Sequence, residues 1–218
     1  MRRGKCCRDC FPFNKPHRFQ TVQSEKKALR AWIKGVFWYR QALKREPSIT
    51  AEVERVAKTV GVDMAGKEYR IKSIRSYLKK YCRKYSQTGR ACEVKDILRY
   101  TYMASPEVLT EKILKSIEIY KKSGYNTVEI KNYWLDSQNP YNGINTILYS
   151  PQGQAFELQY HTPESFEVKS GKMHELYERQ RRIKGVSSRE YIELGDQMFE
   201  LSDSMEVPKG IEKVKCHE

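Results

Sequence analysis

The sequence predicts an α+β fold, a small mixed β-sheet flanked by helices, on three observations. Apolar residues recur at helical spacing through the first part of the chain and again at its end, while segments of alternating polarity crowd the stretch between. Turn chemistry, above all Gly124 and Pro151-Gln152-Gly153, punctuates that middle stretch. A length of 218 residues suits one domain with a sizeable core.

Residues 1–20 read as irregular, with Pro12, Pro16 and clustered basic and cysteine residues. A helix is predicted over 24–44, with Ala28, Trp32, Val36 and Tyr39 on one side and Lys26, Lys27, Arg30 and Lys34 elsewhere. Pro47 should break it, and Thr50 should cap a second helix through residue 58. A third helix is predicted to begin near Arg70 and end at 86–89. Ser105-Pro106-Glu107 signals the next, with Leu109, Ile113, Ile117 and Tyr120 as its apolar stripe and Gly124 as its stop. Between these two helices, residues 94–103 read as a short strand opening with an acid. Three further strands follow at 127–135, 144–150 and 154–161, the last two joined as a hairpin. Helical patterning returns over 169–184 and 188–202.

The last strand is the most informative. Phe156, Leu158 and Tyr160 alternate with Glu157, Gln159 and His161, so one face anchors while the other displays a carboxylate, an amide and an imidazole roughly 7 Å apart in sequence. A carboxylate displayed in this way suits a metal ion or a proton taken from a hydroxyl. Upstream, Arg70, Lys72, Ser76 and Lys80 place three cations and a hydroxyl on one predicted helix, a pattern suited to a triphosphate. Asp96, at the start of its strand, would pair with Glu157 as a second carboxylate for Mg²⁺.

In that order these segments resemble the synthetase domain of the RelA/SpoT family, the alarmone synthetases. The family's pattern is R-x-K-x-x-x-S-x-x-x-K, then an Asp at a strand, an Asn-Gly loop, and a strand with E-x-Q-x-x-T. Here they are Arg70, Lys72, Ser76 and Lys80; Asp96; Asn142-Gly143; and Glu157, Gln159 and Thr162, spanning about residues 65–180. The resemblance implies a nucleotidyltransferase-like fold and a pyrophosphokinase that moves the β,γ-diphosphate of ATP onto a ribose 3′-hydroxyl, releasing AMP. It implies that Arg70 stacks on adenine, that Lys72, Ser76 and Lys80 bind the ATP phosphates, and that Asp96 and Glu157 hold Mg²⁺, with Glu157 also activating the hydroxyl. The acceptor would meet Asn142, Gly143, Gln159, His161 and Thr162, with His174 and Tyr177 on the following helix.

Two departures bear on substrates. The family's arginine five residues after the strand Asp is Thr101 here, and Arg99 is the nearest substitute. The family's loop reads Asn-Gly-Tyr, and its tyrosine stacks on guanine. Here the third residue is Ile144, which has no π-face, and the family's following histidine is Leu148. GDP or GTP is therefore disfavoured, with an adenosine nucleotide or the 3′ end of tRNA as the acceptor.

Within this frame the chain divides into an irregular basic, cysteine-bearing segment (1–22), basic helices (23–62), the synthetase-like core (63–186), and a C-terminal helix and tail (187–218). A lone synthetase without a hydrolase resembles the small alarmone synthetases and, among them, the toxic ones. This implies a cytoplasmic site of action, delivery by a route without a signal peptide, and a cognate antitoxin or immunity protein. The 41 Lys+Arg against 27 Asp+Glu give a net charge of +14, which suggests polyanionic partners. Lys26, Lys27, Arg30 and Lys34 are the candidate RNA-binding set. No stretch approaches 18 apolar residues, so no membrane partner is expected. Cys7-x-x-Cys10 with His17 is similar to half a zinc knuckle without the second pair, so Cys6, Cys7, Cys10, Cys82, Cys92 and Cys216 read as reduced thiols. The same residues leave open an ordinary (p)ppGpp synthetase, a metal-dependent nuclease toxin, and a non-catalytic RNA-binding module.

Overall fold

Five strands form one mixed sheet in the order β1-β2-β5-β4-β3, in a computed structural model that describes residues 22–183 and 185–217. The strands are β1 (Asp63–Ala65), β2 (Arg99–Met103), β3 (Asn126–Asn132), β4 (Ile144–Tyr149) and β5 (Ala155–His161). Only β2 and β5 run parallel; the other neighbours are antiparallel. The helices are α1 (Val22–Val60), α2 (Ile74–Thr88), α3 (Leu109–Lys122), α4 (Pro163–Ser170), α5 (Lys172–Gln180) and α6 (Arg189–Asp203). Cys6, Cys7, Cys10 and His17, with the zinc question they raise, lie outside the described residues. No helix among the described residues is long and apolar enough to cross a membrane.

The alternation read from the sequence sorts the two sheet faces. Phe156, Leu158 and Tyr160 are fully buried in the main core with Tyr100 and Tyr102 of β2, and with Ile49, Val53, Val56, Ile113 and Tyr120 of α1 and α3. The aromatic rings interlock edge-on, Tyr100 with Phe156 at 5.8 Å and Tyr102 with Tyr160 at 5.7 Å. Their hydroxyls are satisfied inside: Tyr102 Oη donates to the Val53 carbonyl at 2.6 Å, and Tyr160 Oη pairs with Ser116 Oγ at 2.7 Å. The opposite face carries Glu157, Gln159 and His161, and α4 runs back across it. A smaller cluster of Met173, Leu176, Leu194, Met198 and Met205 holds α5 and α6 together, with Trp134 packed against it.

Several boundaries differ from the sequence reading. Pro47 does not break the first helix: α1 is continuous over 39 residues. An interior proline costs about 3 kcal/mol, but Ala42, Ile49, Val53 and Val56 on both sides of it are all fully buried, and that packing outweighs the lost hydrogen bond. The third helix starts at Ile74, capped by Ser73, whose Oγ accepts from the Ser76 amide. Arg70 precedes it as the residue that closes a 3-10 turn, Lys67–Tyr69, and Lys72 follows outside any helix, where Ile71 bridges Leu98 and the Lys72 amide donates to the Ile97 carbonyl. Asp96 stands in a turn before β2 rather than on the strand. The helix signalled at Ser105 begins three residues past Pro106, at Leu109, and β3 ends at Asn132 in a 3-10 turn, Tyr133–Leu135. The short strand β1 had no signal in the sequence reading.

Candidate active site

The segment 70–72 lies beside 97–99, since the Arg99 amide donates to the Arg70 carbonyl at 2.8 Å. Between Arg70 and Lys72, Ile71 packs against the main core. Lys72 Nζ reaches Asp96 Oδ2 at 2.9 Å, and Lys80 Nζ, from the second turn of α2, reaches the same oxygen at 2.8 Å. Burial pushes the Asp96 carboxyl up, but the hydrogen bonds from Lys80 and Lys72 outweigh it and hold it below the usual carboxylate range. The other oxygen, Oδ1, is buried and has no hydrogen-bond partner.

Glu157 sits opposite Arg99 in the parallel β2–β5 register. Burial raises its carboxyl above the usual range, and the Asp96 charge adds to this against the pull of Arg99 and Lys169. Both carboxylates and Lys80 line one cavity of about 390 Å³, together with Lys84, Lys95, Lys131, Tyr133 and Asn145. Two carboxylates, one with an unused buried oxygen, fit a hard cation that takes its remaining ligands from phosphates and water. No group of three or more His, Cys, Asp or Glu suited to a metal is found among the described residues.

Arg70 is held at its edge. Its Nε donates to Glu46 Oε1 at 2.6 Å and its Nη1 to the Lys67 carbonyl at 3.1 Å. Glu46 is buried in α1 and also accepts from Thr50 Oγ1 at 2.6 Å. A guanidinium gripped along its edge keeps its planar faces free for stacking. Arg99 Nη2 makes a long contact of 3.5 Å to the Tyr69 carbonyl, and its Nε is buried without a partner. Ser76 is exposed in the first turn of α2, one turn from Lys80.

A second cavity of about 390 Å³ opens on the other side of Tyr141 and Lys169. Gln138, Asn139, Met173, His174, Tyr177 and Met198 line it. His174 is exposed, as is Tyr177. Gln159 lines neither cavity; its Oε1 accepts from Lys169 Nζ at 2.6 Å.

The remaining acceptor-loop residues are placed in the interior. His161 is fully buried, with Nε2 2.8 Å from Tyr141 Oη and Nδ1 2.9 Å from Ser165 Oγ. Gly143 packs so closely over this ring that an added Cβ would lie 2.6 Å from His161 Cε1. Asn142 ties the loop to α6, donating to the Ser202 carbonyl at 2.9 Å while its Oδ1 accepts from Ser202 Oγ at 2.7 Å. Thr162 caps α4 in a reciprocal box with Ser165. Ile144 is fully buried in the main core, so this position offers no acceptor surface. Lys26, Lys27, Arg30 and Lys34 are exposed on α1 and line neither cavity. Sequence reasoning missed Glu46 and Lys169. Both lie outside the motif spacings, on helices whose facing was not legible without the sheet.

Burial, with help from the Lys169 charge, pushes the His161 imidazole down to about 3. Unfolded, it protonates near 6.5. Between those values the unfolded chain binds the extra proton, so stability is full above about pH 6.5 and declines as the pH falls below it. Asp96, also lowered, adds a decline in the same direction at lower pH, while Glu157, raised, contributes in the opposite direction. Thermal unfolding between pH 7 and 5 should show a falling midpoint, with a shallower slope in His161→Gln. Equal slopes in the two proteins would contradict this.

The comparisons agree with the geometry at the level of fold. No family model and no curated protein matches the chain. Among solved structures, the Type VI effector Tas1, in complex with its immunity protein, is similar over 76% of this chain and 93% of its own, at 19% identity and a TM-score of 0.54. The small alarmone synthetase 1 from Bacillus subtilis bound to its product pppGpp is similar over 80% and 91%, at 14% identity and a TM-score of 0.55. Small alarmone synthetase 2 from the same organism follows over 79% and 90%, at 15% identity and a TM-score of 0.53. The fold is that of the RelA/SpoT-like synthetases.

Proposed function

We propose that this chain is a pyrophosphokinase that transfers the β,γ-diphosphate of ATP to a ribose 3′-hydroxyl and releases AMP. The observation that carries the reading is Asp96: one oxygen is shared by Lys72 and Lys80, the other is buried without a partner, and the same cavity contains Glu157. Transfer of this kind needs positioning and charge neutralisation more than covalent chemistry. Lys72 and Lys80, with Ser76 nearby, take the ATP phosphates, while Arg70 and Arg99 flank the adenine. Asp96 and Glu157 hold Mg²⁺, which when bound neutralises phosphate charge. Glu157 accepts the proton of the attacking hydroxyl, a role suited to a carboxylate whose affinity for protons is raised by burial.

The acceptor we assign is an adenosine nucleotide or the tRNA 3′ end rather than GDP or GTP. Ile144 provides no ring to stack on guanine, and the second cavity offers Tyr141 and Tyr177 for a base instead. The exposed cations of α1 favour a polyanionic partner. Similarity to an effector crystallised with its immunity protein supports a delivered toxin acting in the cytoplasm, with a cognate antitoxin or immunity protein.

Incubation with γ-labelled ATP and ADP, GDP or tRNA in turn tests this reading. Label should pass to ADP or to tRNA and poorly to GDP. Uptake by tRNA should fall steeply with added salt and with charge reversal at Lys26, Lys27, Arg30 and Lys34, whereas a free nucleotide should respond weakly. Efficient use of GDP, indifferent to those reversals, would make the protein an ordinary alarmone synthetase. RNA fragments without label transfer would make it a nuclease.

A further inference from the structure

Lys169 lines one cavity, which contains Tyr141 and Tyr177, and bonds to the strand that carries Glu157 in the other. Its partner there is Gln159, two residues along β5 from Glu157. α4 brings it there: Ser165 anchors the helix on His161, and one turn further on Lys169 meets Gln159. The ammonium is held on one side by the Gln159 oxygen at 2.6 Å and lies 5.4 Å from the centre of the Phe166 ring. Among the described residues Gln159 is its one hydrogen-bond partner, although an ammonium carries three donors.

The covalent order of a nucleoside decides what reaches this point. In the acceptor, the reacting 3′-hydroxyl must meet Glu157, and the base is carried on C1′. C2′ is the ring carbon between them. With the base in the cavity beside Tyr141 and the 3′-hydroxyl at Glu157, the 2′-hydroxyl is delivered to the seam that Lys169 and Gln159 form. A free ammonium donor there finds the hydroxyl oxygen as its acceptor, and a charged donor in a half-buried site makes a strong hydrogen bond.

We propose that Lys169 reads the 2′-hydroxyl of the acceptor ribose and makes the protein selective for ribonucleotide over 2′-deoxyribonucleotide acceptors. This inference rests on the pyrophosphokinase reading. The bond from Lys169 to the Gln159 oxygen also holds that amide, two residues along β5 from Glu157. A 2′-deoxy acceptor leaves the ammonium with Gln159 alone and covers its remaining donors without a partner, and that loss sets the discrimination.

The test measures kcat/KM for ADP, GDP and tRNA, each against its counterpart with a 2′-deoxy acceptor ribose, in the native protein and in Lys169→Met and Lys169→Arg. On the acceptor that is used, the native protein should prefer the ribose form by roughly tenfold or more. Lys169→Met should bring the two forms within about threefold of each other while the KM for ATP stays unchanged, and Lys169→Arg should restore most of the preference. A native protein indifferent to the 2′-hydroxyl, or a preference that survives in Lys169→Met, would overturn the inference and leave the pyrophosphokinase reading standing. Absence of transfer to every acceptor in the native protein would overturn both.

Discussion

Glu157→Gln and Asp96→Asn should each lower the rate of diphosphate transfer by about 10³-fold or more, the scale of losing a main electrostatic contributor to the transition state. The two act differently. Glu157→Gln keeps the shape of the side chain but removes the charge that the proposed mechanism uses both to hold the cation and to accept the hydroxyl proton. Asp96→Asn removes the charge that Lys72 and Lys80 share and the oxygen that has no protein partner. Single-turnover rates together with far-ultraviolet circular dichroism check the result. A native spectrum with a rate within tenfold of the parent would remove these carboxylates from the chemistry.

Lys72→Ala and Lys80→Ala should raise the KM for ATP by roughly 10–100-fold each, as loss of a charge-assisted phosphate contact worth about 1.5–3 kcal/mol requires. In the free protein each lysine neutralises the same Asp96 oxygen, so either one alone leaves that carboxylate paired. The double variant should therefore be worse than the product of the two single effects, because Asp96 then faces the incoming phosphates as an unscreened negative charge. Steady-state kinetics with ATP varied at saturating acceptor measure this. Unchanged ATP KM in both single variants would reduce the cluster to a structural ion pair.

Much of this site was legible in one dimension. The alternation of Phe156 to Tyr160 identified the core face of β5, with Glu157 and Gln159 less buried between, because burial on one side of a strand imposes a period of two; His161 breaks the pattern by being buried as well. The hairpin at Gly153 followed from turn chemistry, and its positive φ of 74° is the conformation that glycine allows. The segment from Arg70 to Lys80 was misread as one helix, although Ser73 is the cap that starts it three residues later. A 3-10 turn ending at Arg70 and a single bridge residue, Ile71, are too short to distinguish from the basic helix that follows. Pro47 misled for the opposite reason: a strong local signal lost to burial on both sides of it. His161 and Asn142 carry polar side chains typical of a site, yet their partners, Ser165, Tyr141 and Ser202, lie 4 to 60 residues away. No spacing rule connects residue 142 to residue 202. Lys169 was hidden similarly, since its place beside Gln159 depends on the angle at which α4 folds back over the sheet.

The central claim is that both terminal phosphates of ATP move together to a hydroxyl. The most direct test follows AMP and the modified acceptor by mass spectrometry in one reaction of ATP with ADP or tRNA. The account predicts one AMP for each acceptor heavier by two phosphates, with both products absent in Glu157→Gln. Formation of ADP from ATP with a single phosphate transferred, or AMP without a diphosphorylated acceptor, would contradict it.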